Sequence, residues 1–222
     1  MKEKITLDNV TLVAMTSVKI PETIRALQLS SKNISYAAVK LITHSQPEDL
    51  PSHIQYCHIP QITSIDQYSY DMIYNLGKYI ETEYALVVQY DGFIVNPQCW
   101  RNEFLEYDYI GAPFPLPKDC FSYRDTNNNI FRVGNGGFSL RSKKLIDLPN
   151  LLKMEWKPFH GFYNEDGFIC AMNRHIYEAN GCNFAPIEIA KYFSHETNIP
   201  ETAGIMPFGF HGKNSTYYKD FL

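Results

Sequence analysis

The sequence Tyr84-Ala-Leu-Val-Val-Gln-Tyr-Asp-Gly-Phe-Ile-Val-Asn-Pro97 decides the fold class. Its apolar run, Leu86 to Val88, is typical of a strand buried on both faces of a mostly parallel sheet. Polar residues end the run, and Asp91 lies where the strand should stop. A carboxylate at the carboxyl end of a central strand is well placed to contact a ligand. An ordinary turn at Asp91 and Gly92 explains the same residues without a ligand.

The segments on either side alternate between strand and helix patterns. The predicted strands are Val10–Met15, Tyr36–Ile42 and Ile54–Ile59, and the predicted helices are Pro21–Leu29, Asp66–Ile80 (capped by Asp66) and Pro97–Leu105. This β-α-β-α-β alternation predicts a Rossmann-like three-layer α/β/α sandwich with a mostly parallel central sheet.

The second half of the chain is less regular. A short strand is predicted at Tyr107–Ile110, a mobile polar loop at Asp119–Asn129, and another strand at Phe138–Arg141. Ser142 and Asn164 are predicted to cap two further helices. Because no linker interrupts the pattern, we expect one domain that covers residues 1–222.

Composition excludes several classes of protein. The chain has 222 residues, of which 45% are hydrophobic, so it can form one α/β domain with a sizeable core. The net charge of −4 and the lack of a long basic run make nucleic acid an unexpected partner. The five cysteines include no Cys-x-x-Cys pair, so a reduced, cytoplasmic protein is expected. The sequence has neither a signal-peptide pattern nor an apolar run long enough for a transmembrane segment.

Two short segments contain candidate catalytic and metal-binding residues. Glu165 and Asp166 follow Asn164 at a predicted helix N-terminus, where the dipole favours ionised carboxylates and one could act as a general base. The same position explains both acids as ordinary first-turn residues. His211, in Phe-Gly-Phe-His-Gly, could give a nitrogen ligand to a manganese-like ion, although a single histidine is usually structural.

A glycine-rich strand entry, Gly134-Asn-Gly-Gly137, is the third candidate. Consecutive glycines expose backbone N–H groups and let a ligand approach closely. A tight turn before a strand would account for the same residues.

The chain resembles an uncharacterised family of GT-A glycosyltransferases found in polysaccharide-building contexts. The segments that carry the resemblance run in order over nearly the whole chain: Val87–Phe93, Tyr107–Pro113, Val133–Ser142, Asn164–Asp166, Asn183–Pro186, Phe193–Glu196 and Phe208–Gly212. The resemblance implies a GT-A-like fold, with a nucleotide-binding half at about residues 1–105 and an acceptor-binding half at about 106–222.

The resemblance also implies roles for particular residues. Gln89-Tyr-Asp91 is similar to a reduced Asp-x-Asp motif, in which Asp91, with His211, would hold a divalent cation (Mn²⁺ or Mg²⁺) against a nucleotide diphosphate. Only one acid is present, so a mechanism without metal stays open. By the same resemblance, Thr16, Ser17, Gln89, Gly136 and Gly137 would contact the donor, although the two hydroxyls could equally make local turn bonds.

Glu165-Asp166 resembles the Glu-Asp pair of inverting galactosyltransferases, with Asp166 as general base and Glu165 orienting the acceptor. More weakly, Arg132 and Arg141 could contact phosphate, and His195 and Glu196 could line the acceptor side.

The predicted function is therefore a hexosyl- or deoxyhexosyltransferase that inverts the anomeric centre. Its donor would be a nucleotide-sugar, with UDP favoured, and its acceptor a glycan or lipid-linked glycan reached by peripheral membrane contact. Two alternatives remain: a GT-A-like domain that binds nucleotide or glycan without turnover, and a metal-dependent hydrolase of sugar nucleotides.

Overall fold

The computed structural model describes residues 4–120, 122–157, 164–213 and 215–219. The strands within these ranges are β1 (Ile5–Met15), β2 (Ile34–Thr43), β3 (Gln55–His58), β4 (Tyr84–Val87), β5 (Tyr109–Ile110), β6 (Ser139–Ser142), β7 (Ser194–His195) and β8 (Gly209–Phe210). The α-helices are α1 (Ile20–Ser31), α2 (Ile65–Tyr74), α3 (Lys143–Leu151), α4 (Glu165–Gly167), α5 (Arg174–Ala179), α6 (Ile187–Phe193) and α7 (Thr216–Lys219).

A six-stranded sheet with the order β3-β2-β1-β4-β6-β5 forms the central layer. Strands β1 to β4 are mutually parallel, whereas β6 runs antiparallel to both β4 and β5. The predicted three-layer α/β/α sandwich around a mostly parallel central sheet is confirmed.

Successive side chains of a strand point to opposite faces of the sheet, so alternate residues pack into two separate cores. On β1, Leu12 packs with Leu27 of α1 in the first core, and the next residue, Val13, packs with Met72 of α2 in the second. All four side chains are almost fully buried. The sheet therefore has apolar layers on both faces, which explains the continuous apolar runs in its sequence.

The register of β6 determines what lies beside the end of β4. Val87 pairs with Ser139 in the antiparallel ladder, so the residues that precede β6 meet those that follow β4. This arrangement brings Gly136 and Gly137 to the same sheet edge as Gln89 and Asp91.

A two-stranded parallel sheet of β7 and β8 lies at this edge. The backbone at Gly209 also bridges to Ile94, and the N–H of Phe210 donates to the carbonyl of Phe93 at 3.2 Å. The C-terminal segment is thereby attached to the chain just after Asp91.

Two predicted helices differ from the structure. The predicted helix at Pro97–Leu105 is wrong, because the chain forms two 3-10 turns, Pro97–Cys99 and Asn102–Glu106. The centroid of the Trp100 ring lies 5.2 Å from that of Phe208, and the centroid of the Phe104 ring lies 5.3 Å from that of Phe193. This tertiary packing overrides the local helix signal.

The helix predicted at Asp66–Ile80 is shorter than expected. It begins at Ile65, because the Ser64 hydroxyl, rather than Asp66, caps it by accepting a hydrogen bond from the N–H of Gln67. It ends at Tyr74 and is followed by a 3-10 turn.

Other boundaries move by a few residues. The Asn164 side chain makes no capping bond, and α4 passes directly into a π-helical segment, Phe168–Met172. In the described part of the loop at Asp119–Asn129, from which Phe121 is excluded, the Asp125 carboxylate accepts backbone hydrogen bonds from Asn127 and Asn129. Mobility of this loop stays a prediction. No helix in the described ranges is long and apolar enough to cross a membrane.

Candidate active site

Asp91 lies in a tight turn that directly follows β4. The backbone groups of Gln89 and Gly92 pair with each other at 2.9 and 3.0 Å, which places Tyr90 and Asp91 at the corner. The Asp91 side chain is buried, and its Oδ1 has no hydrogen-bond partner. A buried carboxylate oxygen without a partner is costly, so this atom is a candidate ligand for a cation.

His211 reaches Asp91 although the two residues are far apart in sequence. The His211 N–H donates to the carbonyl of His195 at 2.9 Å, and the Gly212 N–H donates to the carbonyl of Asp91 at 2.8 Å. These bonds extend the β7–β8 pairing and leave His211 Nε2 3.8 Å from Asp91 Oδ1. The structure thus brings together the two residues predicted to share a metal ion.

The His211 ring is surrounded by polar groups. Its Nδ1 is 3.1 Å from Glu196 Oε1 and 2.9 Å from Asn135 Nδ2, and its Nε2 is 3.3 Å from Gln89 Oε1. Burial alone would lower the pKa of His211. The hydrogen bond to Glu196 and the charges of Glu196 and Asp91 outweigh burial and raise this pKa above its usual value.

Two glycines make room for the acidic and histidine side chains. A Cβ atom on Gly137 would lie 2.1 Å from His211 Nε2, and one on Gly136 would lie 2.2 Å from Glu165 Oε1. Any larger residue would therefore displace these groups. The predicted contact of Gly136 and Gly137 with the donor stays a prediction, but the structure supplies a separate reason for both glycines.

Three groups that meet at His211 Nε2 suit a hard divalent cation. They are a carboxylate oxygen, an imidazole nitrogen and, on Gln89, an amide oxygen. Magnesium and manganese sites often use only one or two such protein ligands and take the rest from substrate phosphates and water. Among the described residues, no group of three or more His, Cys, Asp or Glu side chains could hold a metal ion alone. The residues present therefore fit a cation whose remaining ligands come from a bound substrate or from water.

A cavity of about 360 Å³ opens beside this centre, between the ends of β1 and β4 and the start of α2. Thr16, Ser17 and Gln89 line it, and Val18 and Ile65 stand at its mouth with 64% and 70% of their surfaces exposed. Such exposed apolar side chains beside a pocket are suited to cover a flat ring.

The two hydroxyl groups in this cavity are engaged in local bonds. Thr16 Oγ1 donates to the carbonyl of Val18 at 2.6 Å, and Ser17 Oγ accepts from the N–H of Ile62 at 2.9 Å. They shape the loop that lines the cavity, and their predicted contact with the donor stays a prediction.

Glu165 points away from the open part of the site. It is buried with its Oε1 3.4 Å from Nη2 of Arg141, which also donates to the carbonyl of Gly136 at 3.2 Å. Arg141 is almost fully buried, so the suggestion that it contacts phosphate is wrong. Arg132 is partly exposed and pairs with Glu201 at 2.5 Å, and its predicted contact with phosphate stays a prediction.

Asp166 faces the other way, into a pocket of about 240 Å³. The pocket is lined by Asn135 and Glu196, which also contact His211, and by the rings of Phe114 and Tyr123, stacked with centroids 4.3 Å apart. Asp166 is half-buried. Its burial and the adjacent charge of Glu165 raise the pKa of Asp166 to about 7. The expectation that the helix N-terminus favours an ionised carboxylate does not hold here, because these two effects are larger.

Gln89 joins the two pockets through the centre. Its Nε2 donates to the hydroxyl of Tyr68 in the first cavity at 2.7 Å, while its Oε1 faces His211. One continuous chain of contacts therefore runs from the cavity near Thr16, through Gln89 and His211, to the pocket of Asp166.

Sequence reasoning missed Lys213. Its Nζ lies 5.1 Å from the centre of the Tyr90 ring, and a hydrogen bond to Tyr90 raises the pKa of Lys213. This exposed cation stands at the mouth of the site beside Asp91. Lys213 follows the predicted site residue His211 by two positions, and this closeness in sequence could have identified it as a site residue.

Comparisons with known proteins give one family and a set of distant structural similarities. A family model described as "Protein of unknown function (DUF5672)" matches residues 53–211. A comparison with curated proteins found no match.

Two solved structures illustrate the structural similarity. One is the mannosyltransferase PcManGT from Pyrobaculum calidifontis in complex with GDP-Man and Mn²⁺. Its TM-score is 0.46 at 9% identity, over 82% of this chain and 56% of that chain. The other is the apo-form glycosyltransferase GlyE of Streptococcus pneumoniae TIGR4. Its TM-score is 0.45 at 11% identity, over 92% of this chain and 54% of that chain. The chain thus spans little more than half the length of either structure.

Proposed function

The chain belongs to the family described as proteins of unknown function (DUF5672), and we propose that it is a glycosyltransferase. It moves a sugar from a nucleotide-diphospho-sugar to a hydroxyl group of a glycan. The observation that carries this proposal is the continuous arrangement of a ring-sized cavity, a cation-type centre at Asp91 and His211, and a carboxylate of raised pKa at Asp166.

The donor occupies the cavity between the ends of β1 and β4. Val18 and Ile65 pack against the nucleobase of the donor. The diphosphate points toward Asp91, where Lys213 adds a positive charge. All residues that line this cavity lie between positions 15 and 90, which supports a nucleotide-binding half at about residues 1–105. We take UDP as the nucleotide.

Asp91, His211 and Gln89 would hold the divalent cation, Mn²⁺ or Mg²⁺. When bound, the cation supplies positive charge that stabilises the leaving nucleoside diphosphate. The unpartnered Asp91 Oδ1 supports this assignment.

Asp166 acts as the general base. The acceptor hydroxyl oxygen attacks the anomeric carbon and its proton passes to the Asp166 carboxylate. At the same time the bond between the sugar and the diphosphate breaks, and the diphosphate leaves with the electron pair. A base with a pKa of about 7 is suited to this task near neutral pH.

The pocket favours inversion of the anomeric centre. The Cys170 thiol lines the pocket and would be a candidate nucleophile. Burial raises the pKa of Cys170, however, and keeps the thiol protonated. A carboxylate that removes a proton therefore fits the site better than a covalent intermediate.

The acceptor sugar occupies the pocket of Asp166, where the ring of Tyr123 can pack against its C–H face. A neighbouring cavity of about 510 Å³, lined by Leu116, Ile199 and Tyr123, offers room for further sugars. All residues of both cavities lie between positions 114 and 201, which supports an acceptor-binding half at about 106–222. The transferred group is a hexosyl or deoxyhexosyl unit.

Product analysis tests the proposal. The protein is incubated with a panel of nucleotide-sugars and Mn²⁺, with and without a mixture of oligosaccharide acceptors. We expect a glycosylated acceptor and free nucleoside diphosphate in the presence of both substrates. Free sugar formed equally without acceptor would establish the hydrolase instead. Donor binding in a thermal-shift assay without any product would establish a binding domain.

A further inference from the structure

Glu196 and Asn135 both approach the same nitrogen of His211. Glu196 Oε1 is 3.1 Å and Asn135 Nδ2 is 2.9 Å from Nδ1. The orientation of the Asn135 amide follows from its other end, since its Oδ1 accepts from the N–H groups of Gly137 and Phe138 at 3.1 and 3.4 Å. Its NH₂ group therefore faces the ring.

The two contacts require opposite states of Nδ1. A carboxylate can only accept, so the bond to Glu196 needs a proton on Nδ1. The Asn135 NH₂ group can only donate, so its bond needs a bare Nδ1. Cation binding requires the neutral ring. In that ring, a proton on Nδ1 leaves Nε2 bare, and a bare Nδ1 puts the proton on Nε2.

The other side of the ring distinguishes the two arrangements functionally. Nε2 faces Gln89 Oε1 at 3.3 Å and the unpartnered Asp91 Oδ1 at 3.8 Å. With the proton on Nε2, the ring donates to Gln89 and cannot bind a cation. With Nε2 bare, its lone pair points toward Asp91 and the two form a cation site.

We propose that Glu196 is a positioning residue that fixes the proton of His211 on Nδ1 and so presents Nε2 to the cation, while Asn135 stabilises the alternative ring state without cation. This inference rests on the proposed cation site. Carboxylate partners of metal-binding histidines act in this way in other proteins, and their loss typically weakens metal affinity about 10–100-fold.

Mn²⁺ titration of the full chain separates orientation from charge. Glu196→Ala and Glu196→Gln lose the same charge, but only Ala also loses the oxygen that accepts the Nδ1 proton. We expect Glu196→Ala to bind Mn²⁺ about 10–100-fold more weakly than wild type, and Glu196→Gln to bind at least about threefold more tightly than the Ala variant. Glu188→Ala removes an exposed acid of α6 and serves as the matched control.

If the Ala and Gln variants lose Mn²⁺ affinity equally, Glu196 acts only through its charge. If Glu196→Ala binds Mn²⁺ as tightly as wild type, Glu196 has no effect on the cation site. Either result overturns the inference. If wild type itself fails to bind Mn²⁺, the cation part of the proposed function fails, and this inference fails with it.

Histidine ¹⁵N spectra show which ring nitrogen of His211 carries the proton. A purely structural role of Glu196 would not change this position. With saturating Mg²⁺, Nδ1 of His211 in wild type should carry the proton. In Glu196→Ala without metal at pH 9, the proton should lie on Nε2. A proton on Nε2 in the Mg²⁺-saturated wild type would overturn the proposal.

Discussion

Replacing Asp166 by Asn tests the base and its environment in one variant. Asn has nearly the same size and keeps an oxygen that can accept the hydrogen bond from the N–H of Gly167, which is 2.7 Å long in the wild type. The exchange removes only the basicity and the charge. We therefore expect Asp166→Asn to bind donor like wild type while turnover falls by about 10²–10⁴-fold.

The raised pKa of Asp166 also predicts an effect on stability. The carboxyl titrates at about 7 in the folded protein and at 3.8 in the unfolded chain. Between these values the folded state binds more protons, so the free energy of unfolding of the wild type decreases as pH rises from about 4 to 7. Asn cannot titrate, so the variant lacks this decrease.

Asp166→Asn should consequently be more stable than wild type at pH 8, and the difference should disappear near pH 4. Because the carboxyl is half-buried and partly screened by water, we expect a gain of about 1–2 kcal/mol at pH 8. Urea unfolding at both pH values measures it. Activity should rise with pH through about 7 in wild type.

Two results would refute this reasoning. A stability difference that is the same at pH 4 and pH 8 would mean that the pKa of Asp166 is not raised. Turnover within a few-fold of wild type would mean that Asp166 is not the base, whatever its pKa.

Three further predictions address the surrounding residues. Gly137→Ala should displace the His211 ring and weaken Mn²⁺ binding at least about tenfold with an unchanged circular dichroism spectrum; wild-type affinity in a titration would contradict the close packing. Glu165→Gln should lower the free energy of unfolding by about 3 kcal/mol, because the buried charge of Arg141 loses its partner; a stable variant that uses acceptor poorly would instead support an acceptor-orienting role. The loop at Asp119–Asn129 should become more resistant to protease when nucleotide-sugar is bound, and equal cleavage with and without ligand would argue against a lid.

The sequence predicted the parts of the fold that depend on local pattern. The apolar runs at Val10–Met15 and Leu86–Val88 indicated buried parallel strands, and the structure confirms both. The helix at Pro97–Leu105 was wrong because Trp100 and Phe104 pack against distant aromatic rings, and such contacts are invisible in a local window.

The same limit applies to the candidate site. The approach of His211 to Asp91 was expected by resemblance, and the β7–β8 pairing that brings it about could not be predicted from two-residue strands. The burial of Glu165 against Arg141 depends on a contact across 24 positions. No pattern in a single sequence distinguishes it from Asp166, which is adjacent and faces an open pocket.

The most direct test of the account is a titration of wild type, Asp91→Ala and Asp166→Asn with whichever of UDP, GDP and dTDP the wild type binds best, with and without Mn²⁺. The account predicts that Mn²⁺ tightens nucleotide binding at least about tenfold in wild type and in Asp166→Asn, and that Asp91→Ala loses this gain. Nucleotide binding that does not depend on Mn²⁺, or a gain that survives in Asp91→Ala, would contradict the assignment of the cation centre and of the donor site beside it.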